Sequence, residues 1–334
     1  ITIMGIGPIK SFSKGIPMSF QVYACGGTGA AAAARIAASI SSCKNGENIL
    51  VADTSDSNIS KDQFPNVFIL PKLHSEYDGS GKLRAKNAEQ IKKHVPTLLD
   101  QYPPKQYNIV ISSGGGGSGS VFAPHIAQAI KEAGKICFII ITNNTGSLKT
   151  MENTVNTHKS YMNMNKGRCV PMFVVDNYDV AKADLIVDFI VSALDTLVNM
   201  NNYGLDGSDI YNFMNWDKVT DQSAGPAIIT VVKDTIPQEI KGVITTITLA
   251  STMKEPSFDF VPEYSAFGVY DSSLSNREGI PDTHFVISKV EYAAMFESIK
   301  NNLEKEKKRI ENNKKASVDD QQYSFDTDGD DIVL

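Results

Sequence analysis

The sequence predicts an α/β protein: a mostly parallel sheet first, a smaller α/β unit later, and a long central helix joining them. A second long helix and an acidic tail close the chain. Three observations predict this. Uninterrupted apolar runs alternate with helical stretches from Phe20 to Asp176. Glycine-rich turns fall where strand runs end. After Trp216 the texture changes to Thr/Val/Ile-rich runs. Strands that are apolar throughout, rather than alternating, are covered on both faces, as in a parallel sheet between helical layers.

Each element follows from its residues. Phe20–Ala24 is a short buried strand that breaks at Cys25-Gly26-Gly27-Thr28-Gly29, and an Ala-rich helix runs from Ala30 to Ser41. Alanine is the best helix former, and its small face allows close packing on a sheet. Strands follow at Asn48–Ala52 and Asn66–Leu70, with a turn at Asp53–Asn58 between them. The loop Asp78-Gly79-Ser80-Gly81-Lys82 precedes a helix over Lys86–Tyr102. Strand Tyr107–Ser112 runs into Gly114–Ser120, which opens helix Val121–Ala133; further strands are Lys135–Thr142 and Pro171–Asp176. The helix Lys182–Met200 has apolar residues on every face (Ile186, Val187, Phe189, Ile190, Val191, Leu194, Leu197, Val198), which predicts a centrally buried helix. Strands Ala227–Lys233, Val243–Leu249, Ala266–Asp271 and His284–Ser288 make up the second unit, and a helix spans Lys289 to about Lys315.

At 334 residues the chain has room for about two domains. With 42% hydrophobic and 21% charged residues it can build a core and is not a disordered polymer. The net charge of −6 argues against a general nucleic-acid binder. That charge is local: residues 317–334 hold six Asp and no Lys or Arg, so the tail alone carries the whole excess. No apolar run approaches the ~20 residues of a membrane span. Cys25, Cys43, Cys137 and Cys169 lack CxxC spacing, so neither a disulfide nor a structural metal is expected. Residues 1–17 have no sustained apolar stretch, and the first strand follows Met18. They read as an added or dispensable extension, the alternative being a genuine N-terminal arm.

The three turns, CGGTG (25–29), DGSGK (78–82) and GGGGSGS (114–120), carry the chemistry. Glycine lets backbone N–H groups approach an anion, and a following helix adds the positive end of its dipole. Thr28, Ser118 and Ser120 offer hydroxyl donors, and Lys82 or Arg84 offers a positive charge. Three such turns together point to a nucleotide polyphosphate. No GxxxxGK[ST] loop is present, and GGTGA is not GxGxxG, so a Rossmann-type oxidoreductase is an alternative of a different class.

GGGSGS at Gly115–Ser120 resembles the G-box of the tubulin/FtsZ superfamily, with Ser118 in its Thr place and Val121 in its last Gly place. The resemblance runs in order along the chain from about Met18 to Leu334. It matches a first phosphate loop at Gly26, Gly27, Thr28 and Gly29, and an acidic turn at Asp53-Thr54. A γ-phosphate loop follows at Gly79, Ser80, Gly81, Lys82 and Arg84. The central helix follows at 182–202 and a T7 loop at Leu205-Asp206-Gly207-Ser208-Asp209. The acidic tail ending in Ile332-Val333-Leu334 is similar to that of the bacteriophage tubulins. Ala30 and Ala31 depart from the pattern, since relatives carry an Asn beside the first loop. Boundaries on this reading are 18–181 for the nucleotide domain, 203–288 for the T7 loop and second domain, 289–316 for the last helix and 317–334 for the tail.

The resemblance implies a GTPase that polymerises head to tail, with GTP/GDP on the Gly-rich loops and Mg²⁺ held mainly through the phosphates. It implies that Asp206 and Asp209 of one subunit orient or deprotonate water at the GTP of the next; the alternative for Asp209 is a helix N-cap. Asp184 falls where the superfamily reads the guanine edge, or is a solvated helix residue, and Asn143 and Asn144, after the fifth strand, either meet the ribose or are loop polar residues. The tail is expected to be extended, and the resemblance implies that it docks on an adjacent subunit, with Lys305, Lys307, Lys308 and Arg309 as a basic partner surface; the alternative is a solubilising disordered end. The implied role is a phage filament in the cytoplasm of the infected bacterium. It positions phage DNA, with the phage nucleus shell or capsids as partners and with no direct nucleic-acid or membrane contact. A plasmid-partition tubulin is the nearer alternative; its tail would be expected to be basic.

Overall fold

The computed structural model describes residues 20–39, 43, 46–57, 59, 64–70, 79–164, 167–199, 202–252, 256–270 and 281–322. Residues 1–17, read above as an extension, Asp78 and the residues beyond Gln322 lie outside these residues, and of 315–322 only the backbone is described.

The first part is β1 (Phe20–Cys25), α1 (Gly26–Ser39), β2 (Ile49–Asp53), β3 (Val67–Ile69), α2 (Arg84–Gln101), β4 (Tyr107–Ser113), α3 (Gly119–Glu132), β5 (Ile136–Asn143), α4 (Leu148–Asn163) and β6 (Val170–Asp176). Helix α5 (Val180–Asn199) leads to β7 (Asn202–Tyr203), α6 (Gly207–Met214) and a 3₁₀ turn at Trp216–Lys218. Then come β8 (Pro226–Lys233), β9 (Val243–Ala250), β10 (Tyr264–Tyr270), β11 (Thr283–Ser288) and α7 (Lys289–Gln322).

One sheet runs through the molecule in the order β3-β2-β1-β4-β5-β6-β8-β11-β9-β10-β7. The first six strands are parallel, and β8 joins β6 in parallel over Val170–Met172. Beyond it, β11 is antiparallel to both β8 and β9, β9 and β10 are parallel, and β7 is antiparallel to β10. Alternate residues of β1 divide the core. Phe20, Val22 and Ala24 pack with α1, α5 and α6 on one face, and Tyr23 and Cys25 pack with α2, α3, α4 and α7 on the other. Every residue of β1, β2, β4 and β5 is buried, so the apolar runs read as doubly covered strands are so. The four cysteines are buried thiols.

Strand order reverses between β1 and β4: β1 leads toward β2 and β3, β4 toward β5 and β6. Helices α1 and α3 leave this point on opposite faces, and the crevice between them is where open α/β sheets bind ligands. The two chains approach closely there. A Cβ on Gly119 would lie 2.3 Å from the Cys25 carbonyl oxygen, and one on Gly29 would lie 2.6 Å from the Ala24 carbonyl carbon.

Three expectations are corrected. Helix α4 was not foreseen, because its buried face is polar: Thr150, Asn153, Thr154, Thr157, His158 and Tyr161 recur at helical spacing without a hydrophobic stripe. Helix α5 is not buried all round; Val187, Ile190, Val191, Leu194, Leu197 and Val198 face the core, but Leu185 is 70% exposed and Val180 63%. Helix α7 continues to Gln322, so the first residues of the segment read as an extended tail are helical. Among the described residues no helix is long and apolar enough to cross a membrane.

Gly119→Ala should destabilise the fold by about 2–3 kcal/mol, because the methyl group meets a backbone carbonyl that cannot move aside. Thermal unfolding of Gly119→Ala beside Gly134→Ala, where an added Cβ meets nothing within 4 Å but the backbone is left-handed (φ 70°), separates crowding from backbone strain.

Candidate functional site: a polar cradle at the β1/β4 switch point

The cradle is built from three loops in direct contact. Helix α1 begins at Gly26 and α3 at Gly119, earlier than the sequence suggested, so Gly26, Gly27, Gly29 and Gly119 lie in the first helical turns. Their N–H groups are among the four per helix with no intrahelical acceptor. Neither first turn carries an acidic residue. Ser118, the N-cap of α3, does not cap it; its hydroxyl donates to Asp53 Oδ1 instead. Two positive helix ends therefore meet at one point, and neither is neutralised by an acidic residue in its own first turn.

Asp53 is buried at the end of β2 and also accepts from the Thr54 N–H. A carboxylate repels phosphate, so its place here is to fix Ser118 or to face a cation. Gly79–Lys82 closes the third side: a Cβ on Gly117 would lie 2.9 Å from the Lys82 Cα. Lys82 is exposed and holds a left-handed backbone conformation, with φ 62°. Such strain in a non-glycine residue costs on the order of 1 kcal/mol and is found at ligand clamps.

Not every predicted contact faces the cradle. Arg84 is an internal strut: its guanidinium donates to the Ser120 carbonyl (2.6 Å), to Thr157 Oγ1 and to Ser160 Oγ (2.9 Å). That leaves Lys82 as the exposed charge of the loop. Ser120 donates to the Gly116 carbonyl at 2.6 Å, closing the G-box turn on itself, so it is not a free donor. Gly115 is packed against Asn144 and Thr150, and Gly116 is the more open of the two. Asn143 faces away, because alternation along β5 sends its side chain to the other layer. There its Oδ1 meets His158 Nε2 at 3.0 Å and its amide nitrogen meets Met295 Sδ at 3.8 Å.

Beside the cradle lies a groove of roughly 550 Å³ between α1 and α5, lined by Gly27, Thr28, Ala31, Thr142, Asn177 and Asp184 among others. Thr142 and Asn177 were not foreseen. Their buried side-chain oxygens have no hydrogen-bond partner among the described residues, as expected of groups that await a ligand. Asp184 is on the groove wall and pairs with Arg35 at 3.0 Å; Arg35 also holds Asp188 at 2.9 Å.

Helix α4 ties the loops together. Asn153 was also missed, and its amide donates to the carbonyls of Lys82 (2.8 Å), Gly115 (3.1 Å) and Gly116 (3.3 Å). Thr157 donates to the Gly114 carbonyl at 2.8 Å. One turn along, His158 meets Tyr292 of α7 at 3.3 Å. Burial pushes the His158 pKa down to about 4.

Asp206 and Asp209 lie elsewhere. Asp206, not Asp209, is the N-cap of α6, accepting from the N–H groups of Ser208 (2.7 Å) and Asp209 (3.2 Å). Asp209 returns a bond to the Asp206 N–H at 2.9 Å and accepts from Tyr264 at 3.0 Å. This capping box sits beside Tyr107, whose phenol is pushed up by burial and by the Asp206 charge. Tyr107 begins β4, whereas the G-box follows its end; β4 has 7 residues, so the two sites are about 20 Å apart.

Two measurements check these assignments. Arg84→Met should cost about 2–4 kcal/mol by leaving buried acceptors unmet, while Lys82→Met should leave stability nearly unchanged. His158 is more basic unfolded than folded, so the unfolded chain takes up its proton first. The stabilisation is complete above pH 6.5 and is lost as pH falls toward about 4. His158→Gln should therefore flatten the denaturant-midpoint curve in that window.

No family model matches the chain. It is 27% identical over 301 residues to a phage tubulin-like protein of Pseudomonas phage PhiPA3, covering 87% of this chain and 90% of that one. It is 25% identical over 255 residues to another from Pseudomonas phage phiKZ, covering 75% and 76%. Among solved structures, the phage tubulin PhuZ with GDP superposes with a TM-score of 0.75 at 22% identity, over 95% of this chain and 96% of that one. The FtsZ dimer of M. jannaschii superposes with a TM-score of 0.60 at 15% identity, over 83% and 90%. These two share the fold. By sequence over most of its length and by its architecture, the chain resembles the tubulin/FtsZ superfamily and, within it, the phage tubulin-like proteins.

Proposed function

We propose that the chain is a GTPase that polymerises head to tail into a phage cytoskeletal filament. The observation that carries this reading is the separation just described. The anion cradle is at the carboxyl ends of the parallel strands, and the paired aspartates are at their amino ends, ~20 Å away along β4. No motion of side chains joins them within one chain. Stacking copies in one orientation brings the α6 face of one subunit over the cradle of the next. The names of two structures sharing the fold, a protofilament of TubZ from bacteriophage PhiKZ and a PhuZ201 filament, support it.

In this reading the N-termini of α1 and α3, with Thr28, the backbone of Ser118 and the Gly79–Lys82 loop, hold the phosphates, while the Ser118 hydroxyl stays on Asp53. Lys82 neutralises the terminal charge. Thr142, Asn177 and Asp184 meet the nucleoside in the groove. No cluster of three or more metal-ligating side chains exists among the described residues. Mg²⁺ would thus take its ligands mainly from phosphate oxygens and water, with the Asp53 carboxylate nearby, and would supply charge neutralisation at the phosphates. Asp209 and Asp206 of the neighbour orient the attacking water, and their mutual capping pre-sets both carboxylates. The acidic tail docks on an adjacent subunit. Lys307 is already paired with Glu152 and Glu304, and Arg309 with Glu306, which leaves Lys305 and Lys308 as the stronger candidates for its partners. The filament works in the cytoplasm of the infected host and positions phage DNA.

Right-angle light scattering after adding GTP and Mg²⁺ should rise above a critical protein concentration. Absence of both a rise and GTP binding would exclude the proposal. Asp209→Asn, which keeps an acceptor for the cap, should bind GTP and assemble but hydrolyse it about 100-fold more slowly. Turnover at the parent rate would remove Asp209 from the mechanism.

A further inference from the structure

A second concave site lies at the opposite end of the parallel strands from the cradle, by the starts of β5 and β6. Helix α3 ends at Glu132, and Gly134 (φ 70°) turns the chain into β5. Gly167 (φ 78°) leads through Arg168 and Cys169 into β6. The end of α6 and the 3₁₀ turn close the third side. The pocket has a volume of roughly 220 Å³, and its charged lining is Lys131, Lys135, Arg168 and Lys218 against Asp217 alone.

Charge is left over after the local pairs are made. Asp217 is occupied by Lys218 Nζ at 3.0 Å and by the Cys169 thiol at 3.0 Å. Arg168 reaches Glu132 on the rim at 3.4 Å. Lys131 has neither a hydrogen bond nor an ion pair among the described residues, though it is partly buried. The carbonyl end of α3 favours one cation in its last turn. It does not explain four cations around one concavity, one of them desolvated without a partner. Removing a lysine ammonium from water without pairing it is costly, and an anion of matching size would offset that cost.

We propose that this pocket binds a phosphate-sized dianion, either orthophosphate or a small phosphate monoester, with Lys131 as its central contact. The volume is too small for a nucleotide with its base. Tyr211 of α6 and Asn215, which caps it, also line the pocket, so an occupant sits on the same helix that presents Asp206 and Asp209.

The test is ³¹P NMR titration of the full chain, saturated with GDP, with inorganic phosphate and, in a second arm, with glycerol 3-phosphate. Parent protein should bind on the order of millimolar phosphate or tighter. Lys131→Met should weaken binding by about tenfold or more, the loss of one charge-assisted hydrogen bond. Asp217→Asn, which removes the one carboxylate of the lining, should tighten it several-fold, and this gain cannot come from misfolding. Tighter binding of glycerol 3-phosphate than of phosphate would assign the site to monoesters; the reverse would assign it to the free ion. No saturable binding of either probe, or binding that Lys131→Met leaves unchanged, would overturn the proposal. Because it reads phosphate on Lys131 rather than GTP on the cradle, its failure is separate from failure of the GTPase reading.

Discussion

The structure depends on one close approach, between the end of β1 and the start of α3. Gly119 lies against the Cys25 carbonyl, where no side chain fits. That contact lets two helices begin side by side on opposite faces of the sheet with their free N–H groups converging. Everything chemical in the cradle follows. The dipoles add, the glycine backbones stay open, and Ser118 is turned toward Asp53 rather than spent on its own helix. A bulkier residue would move the two helix starts apart and disperse the positive potential that a polyphosphate would meet.

Around that point the protein relies on a polar scaffold rather than an apolar one. Asn153 gathers three backbone carbonyls from two loops, Thr157 holds a fourth, and the Arg84 guanidinium locks α2 to α3 and α4. Hydrogen bonds fix direction as well as distance, so they suit loops that must present N–H groups at set angles. The same helix carries His158 to Tyr292 and Asn143, which links the G-box support to the C-terminal helix through a single buried imidazole.

Much of this was legible in the sequence. Continuous apolar runs gave the strands of the first half, and glycine clusters marked the two helix starts that matter. Helix α4 was not legible because hydrophobic periodicity is blind to a buried face made of Thr, Asn and His. With α4 went Asn153 and the true partner of Arg84, whose charge had looked available for phosphate. Asn143 and Thr142 illustrate a finer limit. They are adjacent on β5, and only the strand's register decides which one meets the groove. Asp206 and Asp209 were legible as a pair, but the division of labour in their capping box needed coordinates. The apolar surface of α5 read as burial, although Leu185 and Val180 remain at the surface.

On the proposed reading, a cradle and an aspartate pair at opposite ends of β4 serve one reaction only between two chains, and mixing two inactive variants tests that directly. Gly27→Asp places a carboxylate at the start of α1, which suits the helix but repels phosphate, and Asp209→Asn removes the other half-site. Each alone should turn over little GTP. Mixed in equal amounts they should regain turnover, since the Asp209 of the first completes the cradle of the second. A mixture no more active than its separate components would contradict a shared site and place the whole reaction within one subunit.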